Sequence, residues 1–312
     1  MNMTTTTATP DDALSQMGPL RAFWEFTRPH TIIGTSLAVV VFYLLASHAA
    51  GHHDFVLLAL TYVASLGVNI YITGLNQITD VEIDRINKPY LPLAAGAFSR
   101  ATGITIVGVA GLIAFIGAAL VGRWMLGTVA IVFALGSVYS LPPLRLKRSA
   151  FWAASAITLA RAVVGNCGVY LSYSENLSGT AHIPPHVFAF VGFMFLFVVV
   201  IAIMKDVPDI EGDRRHQIST FVVTLGAEKT LLLCRAILTV AYVCMIAAAL
   251  IGVSGLHPLA TAVTHGLALV VVWAAARGLD TGDKDAVYKY YMVIWKLFYF
   301  EFAAFPIASL MA

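Results

Sequence analysis

The sequence predicts an all-α, multi-pass membrane protein with nine transmembrane helices, and three observations carry that reading. Hydrophobic residues fill 59% of the 312 positions and charged residues only 12%, with a mean hydropathy of +0.82. A soluble globule of this size carries charge at about a quarter of its positions. Apolar runs recur at roughly 31–47, 55–75, 101–121, 124–141, 150–173, 187–204, 229–252, 257–276 and 288–311. At about 1.5 Å per residue each is long enough to cross a hydrocarbon core about 30 Å thick. Within these runs the apolar residues are continuous rather than alternating, which argues against a closed β-barrel.

Residues 1–28 begin MNMTTTTATPDD, are polar, and lack both a signal-peptide core and an Arg-rich transit pattern. They are expected to form a cytoplasmic, largely disordered tail. Residues 29–312 are expected to form one nine-helix domain. Small-residue runs such as GITIVGVAGLIAFIGAA suit close helix packing. Cys167, Cys234 and Cys244 lie within apolar spans without zinc-like spacing and read as buried thiols.

Of the 19 Lys and Arg residues, only Arg123 falls on segments opposite the N-terminus, and Arg161, Arg235 and Lys296 fall inside spans. The positive-inside rule therefore places the N-terminus, and the helix ends that share its side, in the cytoplasm.

That side carries a motif twice. TDVEIDR, Thr79 to Arg85, is echoed by PDIEGDR, Pro208 to Arg214, so that Asp80 matches Asp209, Asp84 matches Asp213 and Asn76 matches Lys205. One copy closes the second span and the other the sixth, as a pseudo-repeat of 29–149 and 150–287 with a last helix at 288–312 would produce. The two acidic mouths then face one vestibule. Four-residue spacing on a helix turns each side chain only some 40° from the last, so Asn76, Asp80 and Asp84 would share a face. Asp209 and Asp213 would do the same, with Asp206 a turn earlier. Carboxylates crowded beside a low-dielectric wall need a counter-charge. A hard divalent cation supplies it, Mg²⁺ in particular, because it combines one or two protein carboxylates with water and phosphate oxygens.

Basic residues accompany the acids: Arg85, Lys88, Lys205, Arg214 and the PPLRLKR stretch with Arg145 and Lys147. Acids that bind Mg²⁺ beside bases that bind phosphate make a diphosphate clamp. For PPLRLKR, anchoring to anionic membrane lipid is the competing reading. A transporter would place its acids near the bilayer midplane, whereas these sit at helix ends.

These residues resemble the UbiA-type intramembrane prenyltransferases. The resemblance spans nearly the whole chain and rests on NQITDVEIDRINKPYLPLAAG, YSLPPLRLKR and KDVPDIEGDRR. It implies nine helices around a central cavity, a lateral opening for a lipid tail, and two Asp-rich motifs holding Mg²⁺ and the diphosphate. Those motifs fall on Asn76, Asp80 and Asp84 and on Asp209 and Asp213. NKPYLPLAAGAFS, KDVPDIEGD and Arg161 look like the homogentisate branch, although chlorophyll synthase has a related first motif. The resemblance thus implies phytyl or geranylgeranyl diphosphate and homogentisate as partners, decarboxylation during transfer, and a bacterial inner or thylakoid membrane. No nucleic-acid partner is expected.

Tyr139, in VYSLPP, is placed to stabilise an allylic cation or to bond the diphosphate, or else is an interfacial tyrosine. Arg161 lies about 16 Å by helix rise into the fifth span, where a charge must face a cavity or a partner. It is the expected clamp for an acceptor carboxylate, with Asn166 beside it and Arg28 as a second candidate. An internal pair with Glu301 is the alternative for Arg161, and Lys296 is another possible partner for that acid.

Overall fold

The structure, a computed structural model, describes residues 17–215 and 219–312, apart from the side chains of 211–213. Among the described residues nine long helices run through it: α2 Pro29–Ala50, α3 Phe55–Thr79, α5 Arg100–Val121, α6 Arg123–Ser140, α7 Ala150–Ser178, α8 Pro185–Met204, α11 Ala227–Leu250, α12 Pro258–Ala274 and α13 Lys284–Leu310. Eight are at least 18 residues long and apolar enough to span a bilayer. The ninth, α12, has 17 residues, or roughly 26 Å of rise. Short helices α1 Pro19–Phe26, α4 Val81–Asn87, α9 Ile210–Arg215 and α10 Phe221–Leu225 and a 3-10 turn at Leu146–Arg148 complete the described elements. The chain is an integral membrane protein, and its long helices follow the nine apolar runs.

Local chemistry fixes where these helices start. Proline occupies the first turn of α2, α8 and α12, where its missing N–H leaves no bond unmade. Asp54, Ser99 and Asp283 cap α3, α5 and α13 by accepting from the backbone N–H groups of Leu57, Thr102 and Asp285. Leucines, isoleucines and valines such as Leu112, Leu120, Val240 and Leu267 remain exposed on the outer surface, as lipid contact permits.

The small residues let α3 and α5 approach closely. A Cβ on Gly67 would lie 2.8 Å from the Ala110 carbonyl oxygen, and one on Gly117 3.2 Å from the Ala64 methyl. Cys234 is buried as expected, but Cys244 is exposed and Cys167 partly so; both thiols lie on stretches where apolar sequence faces lipid or cavity as readily as core.

Two expectations are corrected here. The tail of 1–28 is not irregular to its end, because Pro19–Phe26 forms α1; residues 1–16 lie outside the described residues. This helix is amphipathic, with Ala22 and Phe26 buried and Leu20, Phe23 and Trp24 exposed. Phe26 packs on Phe98, and its carbonyl accepts from Gln77 Nε2 at 2.7 Å. Glu301 pairs with neither Arg161 nor Lys296. Its carboxylate lies 3.2 Å from His265 Nε2 on α12, with both side chains fully buried.

Candidate active site

A cavity of about 610 Å³ opens between the ends of α3, α4, α8 and α13 and descends between α2, α6 and α7. Asn76, Asp80 and Asp84 from the first motif line it, as do Lys205, Asp206 and Asp209 from the second. The two motifs therefore share one mouth. Asp213 belongs to α9, but its side chain lies outside the described residues.

The acids do not sit on continuous helices. α3 stops at Thr79, Asp80 adopts φ −118° and ψ 14°, and α4 begins at Val81. Asp84 still follows Asp80 by one turn, since its N–H donates to the Asp80 carbonyl at 2.7 Å. In the second copy α8 ends at Met204, and tight turns carry the chain on: Val207 N–H donates to Met204 at 3.1 Å and Asp209 N–H to Asp206 at 3.1 Å. The ring of donors is thus built at helix breaks, where side chains from different turns can converge.

Among the described residues Asp80, Asp206 and Asp209 each have a cationic partner, and Asp84 has none. Asp80 accepts from Lys147 Nζ at 2.6 Å and Arg145 Nη2 at 3.1 Å through Oδ1, while Asn76 Nδ2 donates to its Oδ2 at 2.9 Å. Lys88 pairs with Asp209 across the two motifs, and Lys205 with Asp206 at 2.5 Å. Lys147 is buried, and burial pulls its ammonium below the usual lysine range against the opposing pull of Asp80. Asp84 is 5% exposed, and its Oδ2 has no hydrogen-bond partner. Burial pushes its carboxyl up to about 6; Arg28 and Lys88 oppose that shift, and the charges of Asp80 and Asp209 add to it. Burial likewise raises Asp206 against the pull of Lys205.

Three basic residues fall elsewhere. Arg85 is held by Glu82 at 2.8 Å and does not line this cavity. Arg145 reaches Asp80 from behind and lines a separate cleft, and Arg214 is exposed on α9. A sequence offset cannot tell which side of a helix break a side chain takes. Lys88, Lys147 and Lys205 are the basic residues among those expected at the diphosphate that do line the cavity. Arg28 lines it too, at the N-cap of α2 with φ 58°, a left-handed conformation that is costly away from glycine and tends to be retained at functional sites.

Deeper down, Arg161 and Asn166 line the same cavity. On an α-helix residues five apart diverge by roughly 140°. Here Leu159–Gly165 is π-helical, and its i→i+5 bonding brings positions five apart back onto one face. The Arg161 guanidinium lies over the Trp295 ring at 5.7 Å. Gly34 lies beside it and leaves room for the Phe298 ring, which a Cβ there would meet at 3.1 Å, with Arg161 Nη1 in ordinary contact at 3.8 Å. Among the described residues no carboxylate pairs with Arg161. Tyr139 lines the mouth near Lys205.

Residues 36–297 match the UbiA prenyltransferase family. The chain belongs to that family. It is 40% identical over 302 residues to the homogentisate phytyltransferase of Synechocystis sp., covering 94% of this chain and 96% of that one. It is 39% identical to the homogentisate geranylgeranyltransferase of Triticum aestivum, covering 92% and 72%. The fold of this UbiA family member is also that of a UbiA homologue from Archaeoglobus fulgidus solved with GPP and Mg²⁺, with a TM-score of 0.65, 16% identity, and 93% and 100% of the two chains covered.

Sequence reasoning missed several residues that line the cavity of this UbiA protein. Asn69, buried in mid-α3, donates to Thr31 Oγ1 at 3.0 Å. His30 packs edge-on against Trp295 at 4.9 Å, and its carbonyl accepts from Tyr299 at 2.9 Å. An amide inside VASLGVNIYITGL was a readable signal for Asn69. Trp295 in IWKLFYF had none, being one aromatic among many.

Proposed function

We propose that this protein transfers a phytyl or geranylgeranyl group from its diphosphate to homogentisate at a cytoplasm-facing site. The observation that carries the reading is the shared mouth of the two motifs, set above a pocket lined by Arg161, which no carboxylate among the described residues pairs. The 40% identity to a homogentisate phytyltransferase supports the choice of acceptor.

Among the described residues no three His, Cys, Asp or Glu side chains enclose a metal on their own. The donors nevertheless fit Mg²⁺, which takes one or two protein carboxylates and fills its other positions with water and phosphate oxygens. Asp84 Oδ2 is buried without a partner, the condition a cation would relieve. Asn76, Asp80, Asp84, Asp206, Asp209 and Asp213 are the residues that would hold it. When bound it would supply Lewis-acid neutralisation of the charge developing on the leaving diphosphate.

The chain's own residues do the rest. Lys88, Lys147 and Lys205 give the diphosphate oxygens ammonium donors at the mouth. Apolar walls from α2, α6 and α7 keep water from the allylic centre, where water would otherwise intercept the cation. Tyr139 offers a ring face or hydroxyl at the same level. Arg161 binds the homogentisate carboxylate and holds the ring toward that centre, with Asn166 beside it and Arg28 nearer the mouth. The ring carbon attacks the allylic carbon as the carbon–diphosphate bond breaks. In the homogentisate branch the acceptor's carboxylate leaves as CO₂; the attacked ring carbon gives up its proton and the carbon that lost CO₂ takes one up, so the quinol product carries a methyl group and the diphosphate leaves with the pair of the broken C–O bond.

Along α6 the cavity reaches from Tyr139 to Met125, fourteen positions or roughly 21 Å, a depth suited to a diterpenoid tail. The test supplies membranes containing the protein with labelled homogentisate and phytyl, geranylgeranyl or solanesyl diphosphate, with and without EDTA. A prenylated quinol formed from the first two donors and lost with EDTA is expected. No product from any pair overturns the proposal.

A further inference from the structure

Beside the reaction cavity, on the far side of Asp80, a second cleft opens at the same end of the bundle, and four arginines line it: Arg85, Arg100, Arg145 and Arg148. They come from α4, the start of α5 and the loop between α6 and α7, so folding rather than sequence proximity gathers them. Two carboxylates face them. Glu82 is taken by Arg85 through both oxygens, at 2.8 and 2.9 Å, and Asp80 is shared between Arg145 and Lys147. Positive charge is left over. Arg100 and Arg148 are exposed, and Arg145 Nε is buried with no hydrogen-bond partner although its Nη2 serves both Asp80 and the Thr79 carbonyl.

The cleft is held in shape. Arg145 adopts φ 40°, and the Arg148 carbonyl accepts from Ser219 N–H at 3.2 Å, tying this loop to the segment before α10. A non-glycine residue kept in the left-handed region is retained where the surroundings over-determine it. The opposite wall is apolar, formed by Ile78, Val81, Leu93 and Phe98.

We propose that this cleft binds a phosphate-bearing anion at a site separate from that of the substrate diphosphate. Guanidinium forks match phosphate oxygens two at a time, which point-charge lysines do not. Two sources share that chemistry. An anionic phospholipid would place its phosphate on the arginines and its glycerol and upper chains on the apolar wall, as basic pockets at a membrane surface do. Free pyrophosphate would use the arginines alone.

The test is binding, without acceptor or prenyl donor, so its failure and that of the proposed reaction are distinguishable. Delipidated, metal-free protein is titrated with dioleoylphosphatidylglycerol, and separately with pyrophosphate, by native mass spectrometry. Wild type is compared with Arg100→Gln/Arg148→Gln and with the single charge reversal Arg148→Glu, each first shown by thermal unfolding to be folded. Both positions are exposed and neither lines the reaction cavity. The first lipid equivalent, and one of the two pyrophosphate equivalents that the cleft and the reaction cavity would take up, are expected to weaken on the order of tenfold in the variants, the other pyrophosphate equivalent keeping its wild-type affinity. Weakening for the lipid alone assigns the site to the membrane, and for pyrophosphate alone to the free anion. Unchanged binding of both overturns the proposal.

Discussion

Arg161 lies with its guanidinium 5.7 Å from the centre of the Trp295 ring, and no acid among the described residues answers its charge. It rises from the π-helical stretch Leu159–Gly165 and lines the cavity. A cation held on an aromatic face keeps its outward N–H donors for a ligand. Arg161→Ala is therefore expected to raise the homogentisate KM about 10- to 100-fold, the loss of one charge-assisted contact. The prenyl diphosphate KM should stay near wild type. Steady-state kinetics with each substrate varied in turn checks the split, and equal rises would assign Arg161 a structural role.

Asp80 and Asp209 sit one on each motif, and each is held by a lysine. Asp80→Ala or Asp209→Ala should lower kcat by at least about 10² to 10³, the scale of losing one preorganised electrostatic group. Either variant also strands an ammonium. Lys147 in particular is buried, so the Asp80 variant should melt below wild type as well. Single-turnover assays on folded protein separate the two effects.

Much of this was legible in the sequence because hydrophobicity and charge sign are local properties. The apolar runs set the long helices, and the repeat of Asp80 and Asp84 in Asp209 and Asp213 drew attention to a single mouth. The break at Asp80 was not legible, since nothing in TDVEIDR forbids a continuous helix, and the partners Asp80 takes there, Arg145 and Lys147, come from a loop more than sixty residues on. For the same reason Arg85 and Arg145 looked like diphosphate ligands. The π-helical turn that unites Arg161 and Asn166 was also hidden, because one inserted residue in an apolar helix leaves no compositional mark.

Protons should compete with a bound cation at Asp84. Its carboxyl is pushed up from 3.8 to about 6 chiefly by burial, so at pH 7 it is ionised and able to ligate, and below about 6 it takes up a proton. Affinity for Mn²⁺ as a spectroscopic substitute should fall by about tenfold per pH unit below that point if one proton is displaced. The sign for stability is opposite. Without metal the folded form binds this proton more tightly than the unfolded chain, so Asp84 lowers stability as pH rises from about 4 through 6. Asp84→Asn should flatten both profiles, measured by electron paramagnetic resonance and by thermal unfolding.

Met125 closes the far end of the 21 Å reach along α6, at 1% exposure, roughly four turns from Tyr139. Met125→Ala should extend the apolar space, and Met125→Trp should shorten it. Competition between geranylgeranyl and a shorter geranyl diphosphate is expected to shift toward the shorter donor in the tryptophan variant. An unchanged ratio would mean that the tail leaves the cavity sideways before reaching this residue.

His265 and Glu301 lie far from solvent, on α12 and α13, with nitrogen and oxygen 3.2 Å apart. The ring's other nitrogen, Nδ1, is 3.0 Å from the Thr261 carbonyl, which can only accept, so Nδ1 carries a proton and Nε2 faces the acid. Removing one partner leaves the other's buried polar atoms without it, which costs about 1–3 kcal/mol, whereas replacing both by apolar groups can cost little. Glu301→Ala and His265→Ala should each melt several degrees below wild type, and Glu301→Leu/His265→Leu should recover most of the loss. The pair also joins α12 to α13, and α13 carries Tyr291, Trp295 and Phe298 of the cavity wall. The single variants should therefore raise the homogentisate KM through the Trp295 seat under Arg161. Single variants with unchanged melting would show that α13 is held by its aromatic packing alone.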